Sequence, residues 1–332
     1  MPGAPADPSW AWDLYWHADR IASCFDGGGG GANYDERIAA PWTGFFESLP
    51  NGSRILDLCT GNGAIARIAA ETGAALGKDF AVTGVDLADI DPLKFVPRHG
   101  DAARAIRFAG KVDCAELPFE DSAFDAVVSQ YGIEYSQLER SLPEAVRMLA
   151  PGGGLRLGVH AAEGTVVGGA QRMIADADFL LNEVQLYDVA AACLEAVVGV
   201  ERAGAPDDAM KEQADSRFAA FERALVATAE YAPRATDQRM VEHSGSLLVH
   251  SFKNRGYFEL PVLLEKVEEL RGEVLAHRAR SAAMVAAAVS RDRATEIAQR
   301  LGELGLTAPS VAEQRDGEEL FGYVIEAMRA GQ

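Results

Sequence analysis

The chain has 332 residues, 48 % of them hydrophobic and 24 % charged, the balance of a globular protein that keeps to water. That is longer than the ~100–200 residues of one typical domain, so an insertion or second unit is expected. The formal net charge of -19 opposes electrostatic binding to nucleic acid or to an anionic membrane surface, and no Lys/Arg cluster offsets it.

Met1–Pro8 lacks a positive segment followed by an apolar core, so no signal peptide is expected. No run reaches the ~18 apolar residues of a membrane-spanning helix, and a cytoplasmic location follows as the expectation. Residues 9–25 read as an aromatic-rich helix, with Trp12/Trp16 and Ile21/Phe25 as i,i+4 pairs. It packs on the core or forms a flap over a ligand. Gly27–Gly31 is a five-glycine hinge that would let this segment move. Tyr34–Leu49 reads as a helix with Ile38, Trp42, Phe45 and Phe46 on its apolar side.

Arg54–Ala66 then reads as a buried strand, a glycine turn and the start of a helix. Gly61 and Gly63 permit close backbone approach, and a ligand there meets bare backbone at a helix N-terminus. Two nucleotide readings compete. Gly61-Asn62-Gly63 with Ala66 matches the dinucleotide fingerprint G-x-G-x-x-G/A, with Asp86 at a suitable distance for a ribose. Asp57 at the strand end instead repels a pyrophosphate and suits a ligand carrying an ammonium group. Strands are expected at 54–58, 81–85, 110–113, 124–129 and 154–159, alternating with helices, which predicts a doubly wound parallel sheet. The basic segment Asp89–Ala109 reads as a solvated helix face.

From Ala161 to about Arg280 the apolar spacing turns helical, with a strand considered only at Ser246–Val249. This is too long for a loop and reads as a helical lid inserted after the fifth strand. Leu263–Leu275 and Arg280–Leu304 read as two further helices. Gly305–Val311 and Leu320–Ala327 read as closing strands joined by Ala312–Glu319. The expected organisation is a flap and hinge at 1–35, a core at 36–160, a lid at 161–280, and a return helix with closing strands at 281–332.

The ordered motifs Leu56–Gly63 (L-D-L-x-T-G-x-G), Asp113–Phe119 (D-A-E-x-L-P-F) and Leu149–Gly153 (L-x-P-G-G) carry a family likeness. Together they make the chain resemble class I S-adenosylmethionine-dependent methyltransferases, nearest to the ubiquinone/menaquinone-biosynthesis C-methyltransferase branch. The likeness covers residues 40–160 and the end of the chain, Gly305–Ala330. It implies a Rossmann-like α/β fold of seven strands with a C-terminal antiparallel hairpin, and S-adenosylmethionine as cofactor. Two positions depart from the pattern: Cys59 stands where the broader motif has its first glycine, and Cys114 where alanine is usual.

The resemblance implies a cofactor site of Asp57, Cys59, Thr60, Gly61, Asn62 and Gly63 in the turn. Asp86 would hold the ribose hydroxyls and Leu87 would pack on the adenine. Asp113 and the Cys114 N–H would meet the adenine edge, and Ser129 and Gln130 complete the set. Each acid has a plainer reading as a helix cap or turn residue. On the acceptor side, Tyr131 would orient the substrate, Glu134 is a base or a helix-start acid, and His160 is a base or a structural histidine. His17, His243 and His250 are weaker candidates. No metal constellation emerges, and the four cysteines, distant in sequence, read as free thiols, with Cys24 alternatively a reactive one. The expected activity is methyl transfer to a small apolar or aromatic acceptor, on oxygen, nitrogen or carbon, and a homodimer is compatible with the chain. The alternatives are an NAD(P)-dependent oxidoreductase, or a catalytically inactive methyltransferase fold used for binding.

Overall fold

Parallel strands covered on both faces need apolar residues pointing both ways, and the strands of this chain have them. In β1 (Arg54–Leu58), Ile55 enters one core while Leu56 and Leu58 enter the other. In the later strand Phe124–Gln130, Val127 separates from Ala126 and Val128 in the same way. The computed structural model describes residues 9–18, 20–23, 33–96 and 100–331. The five-glycine hinge, Cys24 and Phe25 lie outside them, as do residues 1–8 and 19 of the expected flap.

In chain order the elements begin with α1 (Trp10–Trp16) and α2 (Glu36–Glu47), whose first turn is capped by the Asp35 side chain on Arg37 N. After β1 come α3 (Ala64–Leu76), β2 (Ala81–Val85), the short α4 (Pro92–Phe95) and α5 (Gly100–Arg104), and β3 (Ile106–Ala109). Next are β4 (Phe124–Gln130), α6 (Leu138–Met148) and β5 (Leu149–His160). The helical stretch holds α7 (Thr165–Asp178), continued by a π turn at Phe179–Glu183, then α8 (Leu186–Arg202), α9 (Asp208–Tyr231), α10 (Gln238–Lys253) and α11 (Leu260–Ala287). The chain closes with α12 (Arg291–Glu303), β6 (Leu306–Asp316) and β7 (Glu319–Arg329).

One seven-stranded sheet has the order β3-β2-β1-β4-β5-β7-β6, with β1 to β5 parallel and β7 antiparallel to both β5 and β6. This is the doubly wound, Rossmann-like sheet with a terminal hairpin. The buried faces of α2 and α3 supply Ile38, Trp42, Phe46, Ile65 and Ala69 to one core. Those of α6 and α12 supply Leu142, Met148, Ile297 and Leu301 to the other.

The chain divides into two compact units, residues 1–167 with 283–332, and residues 168–282. The second is helical and has its own apolar centre, in which Leu180, Tyr187, Leu194, Phe221, Leu248 and Val267 meet. Among the described residues no helix is long and apolar enough to cross a membrane.

Several expected boundaries move. The third strand is Ile106–Ala109, not 110–113. Gly110 lies against Ala88 O and Ile90 N, where a Cβ would approach to 2.9 Å, and Lys111 turns at φ +57°, so the chain has left the sheet by Val112. The Asp89–Ala109 segment contains that strand as well as two short helices. Ser246–Val249 is inside α10, whose buried Val241, Ser244 and Leu248 recur at helical spacing. The first of the two late helices extends through Ala287, and the break comes at Ala288–Ser290, where the Ser290 side chain caps α12 on Arg293 N. The closing strands run on to a tight turn at Gly317 (φ +58°), absorbing most of the expected connector.

Candidate functional site

Ligands of open parallel sheets gather beyond the carboxyl ends of the strands, where the order reverses. Here that point lies between β1 and β4. Asp57 is buried in β1, 1 % exposed, and its Oδ2 accepts from Thr60 Oγ1 at 2.5 Å and from Ala66 N at 3.2 Å. Burial pushes this carboxyl up to about 7; the Thr60 and Ala66 bonds pull it down, and the neighbouring Asp86 charge adds to the rise. Asp86 follows β2. Its Oδ2 accepts from Gly61 N at 2.7 Å and its Oδ1 from Ala88 N at 2.9 Å. Desolvation raises it to about 6 against those two backbone bonds. Each oxygen keeps a further lone pair for a vicinal diol.

The turn between them depends on its glycines. Gly61 sits at φ +54°, and a Cβ there would lie 2.4 Å from the Trp16 ring; Gly63, at φ +84°, opens α3, and its Cβ would meet Phe108 at 2.6 Å. Cys59, a residue with a side chain, is also left-handed at φ +55°. Tyr131 at the end of the adjacent β4 shares this conformation (φ +56°). Two such residues side by side are held by their surroundings rather than by their own preference.

Helix α1 is seated on the turn. Asn62, fully buried, donates from Nδ2 to Trp16 O at 2.8 Å and to Arg20 O at 2.7 Å. Asp13 accepts from Asp89 N at 2.8 Å, and His17 Nε2 pairs with Asp89 O at 2.9 Å. Trp16, Asp57, Cys59, Thr60, Gln130 and Tyr131 line a cavity of about 30 Å³. Small-molecule pockets measure ~300–1,000 Å³, so a nucleoside ligand enters only if α1 shifts. Hydrogen exchange over Trp10–Trp16 is therefore expected to change on adding S-adenosylhomocysteine. Unaltered exchange at saturating ligand would show that α1 is a fixed part of the core.

The remaining predicted residues divide by environment. Ser129 is fully buried; its Oγ donates to Leu58 O at 2.9 Å and accepts from Ile133 N at 3.1 Å, tying β4 to β1. Gln130 Oε1 accepts from Trp42 Nε1 at 2.8 Å. Asp113 is exposed, and its Oδ1 caps the following turn on Ala115 N at 2.8 Å. Leu87 is 50 % exposed.

Glu134 and His160 form a buried pair that their sequence spacing conceals. Glu134 lies in a 3₁₀ turn (Ile133–Tyr135) after β4, His160 ends the neighbouring β5, and strand pairing brings them together. Glu134 Oε1 accepts from His160 N at 3.1 Å and meets Nδ1 at 2.8 Å. With the Nδ1 proton on that bond, Nε2 is the basic nitrogen, and it has no hydrogen-bond partner. His160 stacks on Tyr131 at 4.1 Å, one layer behind the cavity wall, and the Tyr131 hydroxyl donates to Gln314 Oε1 at 3.1 Å.

Sequence reasoning missed the seat of Trp16 on Gly61, the hold of Asn62 on α1, and the approach of Cys59 Sγ to Cys114 Sγ at 4.0 Å. Only the i,i+4 tryptophans and the two departures from the motif pattern pointed toward them. Among the described residues no group of three or more His, Cys, Asp or Glu is placed to hold a metal ion.

Residues 55–153 match a family described as a methyltransferase domain. A demethylmenaquinone methyltransferase of Thermus thermophilus is 41 % identical over 105 residues, covering 31 % of this chain and 44 % of that protein. A ubiquinone/menaquinone biosynthesis C-methyltransferase of Methylobacterium nodulans is 38 % identical over 106 residues, covering 30 % of this chain and 39 % of its own length. A solved S-adenosylmethionine-dependent methyltransferase of Mesorhizobium loti is 27 % identical over 37 % of this chain and 53 % of its own, with a TM-score of 0.28. The chain thus spans less than half the length of these two curated relatives.

Proposed function

We propose that this chain, whose residues 55–153 carry a methyltransferase domain, binds S-adenosylmethionine and transfers its methyl group to a small apolar or aromatic acceptor. The observation that carries the reading is the buried Asp57 beside Asp86, at the ends of adjacent strands on either side of the glycine turn. A buried carboxylate with no cation against it is costly, and an ammonium group relieves that cost. A dinucleotide would set its pyrophosphate against the same acid, which weighs against a nicotinamide enzyme. When bound, S-adenosylmethionine supplies an electrophilic methyl group on a sulfonium. Asp57 would hold the ammonium end and Asp86 the ribose hydroxyls, while Trp16 and Tyr131 exclude water.

The acceptor class follows from the aromatic wall of Trp16 and Tyr131, and accords with relatives named for demethylmenaquinone. The helical stretch 161–280 is assigned to acceptor choice, because the chain enters it directly from the carboxyl end of β5, where His160 stands. Titration calorimetry with S-adenosylmethionine, S-adenosylhomocysteine and NAD tests the proposal. Both S-adenosyl ligands are expected to bind at one site per chain; binding of NAD alone would overturn it.

The pH dependence is set by the two raised acids. Unfolded carboxyls titrate near ~4, so between there and about 6 to 7 the folded chain holds more protons than the unfolded one. The two groups thus cost no stability below ~pH 4, and their full cost is in place only above about pH 7. A cationic ligand selects the ionised acids, so its affinity is expected to rise about tenfold or more from pH 5.5 to 7.5, with proton release at the lower pH. Calorimetry in buffers of different ionisation enthalpy reads that release. A flat profile would remove Asp57 from the ammonium site.

A further inference from the structure

We propose that Cys59 and Cys114 are a redox-active pair whose reversible disulfide closes the cofactor site. This rests on the cofactor reading of that site. The two residues are 55 positions apart, yet their sulfurs lie 4.0 Å apart, about 2 Å beyond a bonded pair. Neither is in a regular element: Cys59 follows β1 and Cys114 lies between β3 and β4. The approach is therefore made by loops and side-chain rotation rather than by moving a strand. Cys59 is half-buried and lines the cavity, and its left-handed backbone marks the loop as already constrained. Cys114 is buried in the core beneath it, so an oxidant reaches the pair from the Cys59 side; Cys193 is buried in the helical unit, among the apolar residues of that unit's core.

The environment distinguishes the two sulfurs. The Cys59 thiol hydrogen-bonds to the Cys114 sulfur and lowers its pKa against the burial that raises it, so in this proposal Cys114 supplies the thiolate. With hydrogen peroxide as oxidant, the Cys114 thiolate attacks one peroxide oxygen, the O–O bond breaks, and hydroxide leaves, giving a sulfenic acid. The Cys59 sulfur then attacks that sulfur, forming the S–S bond and expelling the second oxygen as water. Two thiols have lost two electrons and two protons, and peroxide has become two waters.

The consequence for the site follows from what the loop holds. Cys59 lies between Asp57 and the Thr60 hydroxyl that bonds it, and two residues before the Gly61 N–H that bonds Asp86. Cys114 is next to Asp113. Drawing the sulfurs together moves both walls that would enclose the adenosyl group. Linkage then requires the converse: bound ligand disfavours the disulfide at equilibrium by the same factor.

The test uses the full chain. The protein is treated with hydrogen peroxide, quenched, mapped by non-reducing peptide mass spectrometry, and titrated with S-adenosylhomocysteine. The expected result is a Cys59–Cys114 linked peptide, a loss of two mass units, and an affinity at least ~10-fold weaker that dithiothreitol restores. Cys114→Ser should lose the peroxide response, read as the ratio of treated to untreated affinity within that variant. A linked peptide with unchanged affinity would overturn the closing role. Sulfinic acid without a linked peptide would overturn the pair itself. If the reduced chain binds no S-adenosyl ligand at all, the cofactor reading fails, while the peptide map still reports on the sulfurs.

Discussion

Replacing Asp86 by alanine is expected to weaken S-adenosylmethionine binding by roughly 10²–10⁴-fold while leaving the sheet intact. The carboxylate stands to make two charge-assisted hydrogen bonds to a ribose, each worth ~1.5–3 kcal/mol, and ~1.4 kcal/mol is a factor of ten. It also fixes the turn itself, by accepting from Gly61 N and Ala88 N. Asp86→Asn keeps one acceptor oxygen and should lose less. Calorimetry reads the affinity, and thermal unfolding reports whether the fold has survived. An alanine variant with wild-type affinity would reduce Asp86 to a turn residue.

With a hydroxyl acceptor, His160→Gln is expected to lower turnover by ~10²–10⁴-fold, the range for a lost general base. Affinity for S-adenosylmethionine should hardly move, since His160 is not in the wall around Asp57. The proposal is that Glu134 holds the Nδ1 proton and leaves Nε2 basic, so Glu134→Gln should lower turnover in the same direction. Steady-state kinetics with a methyl-release assay separates the two effects. If both variants keep wild-type turnover, the pair serves to join β4 to β5, and methyl transfer proceeds by proximity alone.

The parts of the molecule that were legible in the sequence are those where one residue type answers one local demand. Ile55, Leu56 and Leu58 announce a strand buried on both faces, and Gly61 and Gly63 announce a turn that side chains would block. The paired ends of β6 and β7 were visible as apolar runs, but not their length, because the tight turn needs only Gly317 and its neighbour. The third strand was displaced by four residues: Val112 reads as strand by composition, whereas Ile106 and Phe108 point into the packed face.

What stayed hidden was contact between distant positions. Glu134 and His160 meet because β4 and β5 are neighbours, a fact of sheet order that no local spacing encodes. Cys59 and Cys114 meet because the loops after β1 and β3 converge at the same end of the sheet. Trp12 and Trp16 signalled an aromatic face, and the structure adds what that face covers: Trp16 lies where a Cβ on Gly61 would be. Gly61 thus serves a backbone conformation and a packing contact at once.

The glycine turn between Asp57 and Asp86 is proposed as an S-adenosyl site closed by α1. A crystal structure of the chain with S-adenosylhomocysteine tests it most directly. The ligand's ammonium group is expected at Asp57, its ribose hydroxyls at Asp86, and Trp16 displaced from Gly61. A ligand bound elsewhere, with Trp16 still packed on Gly61, would contradict it.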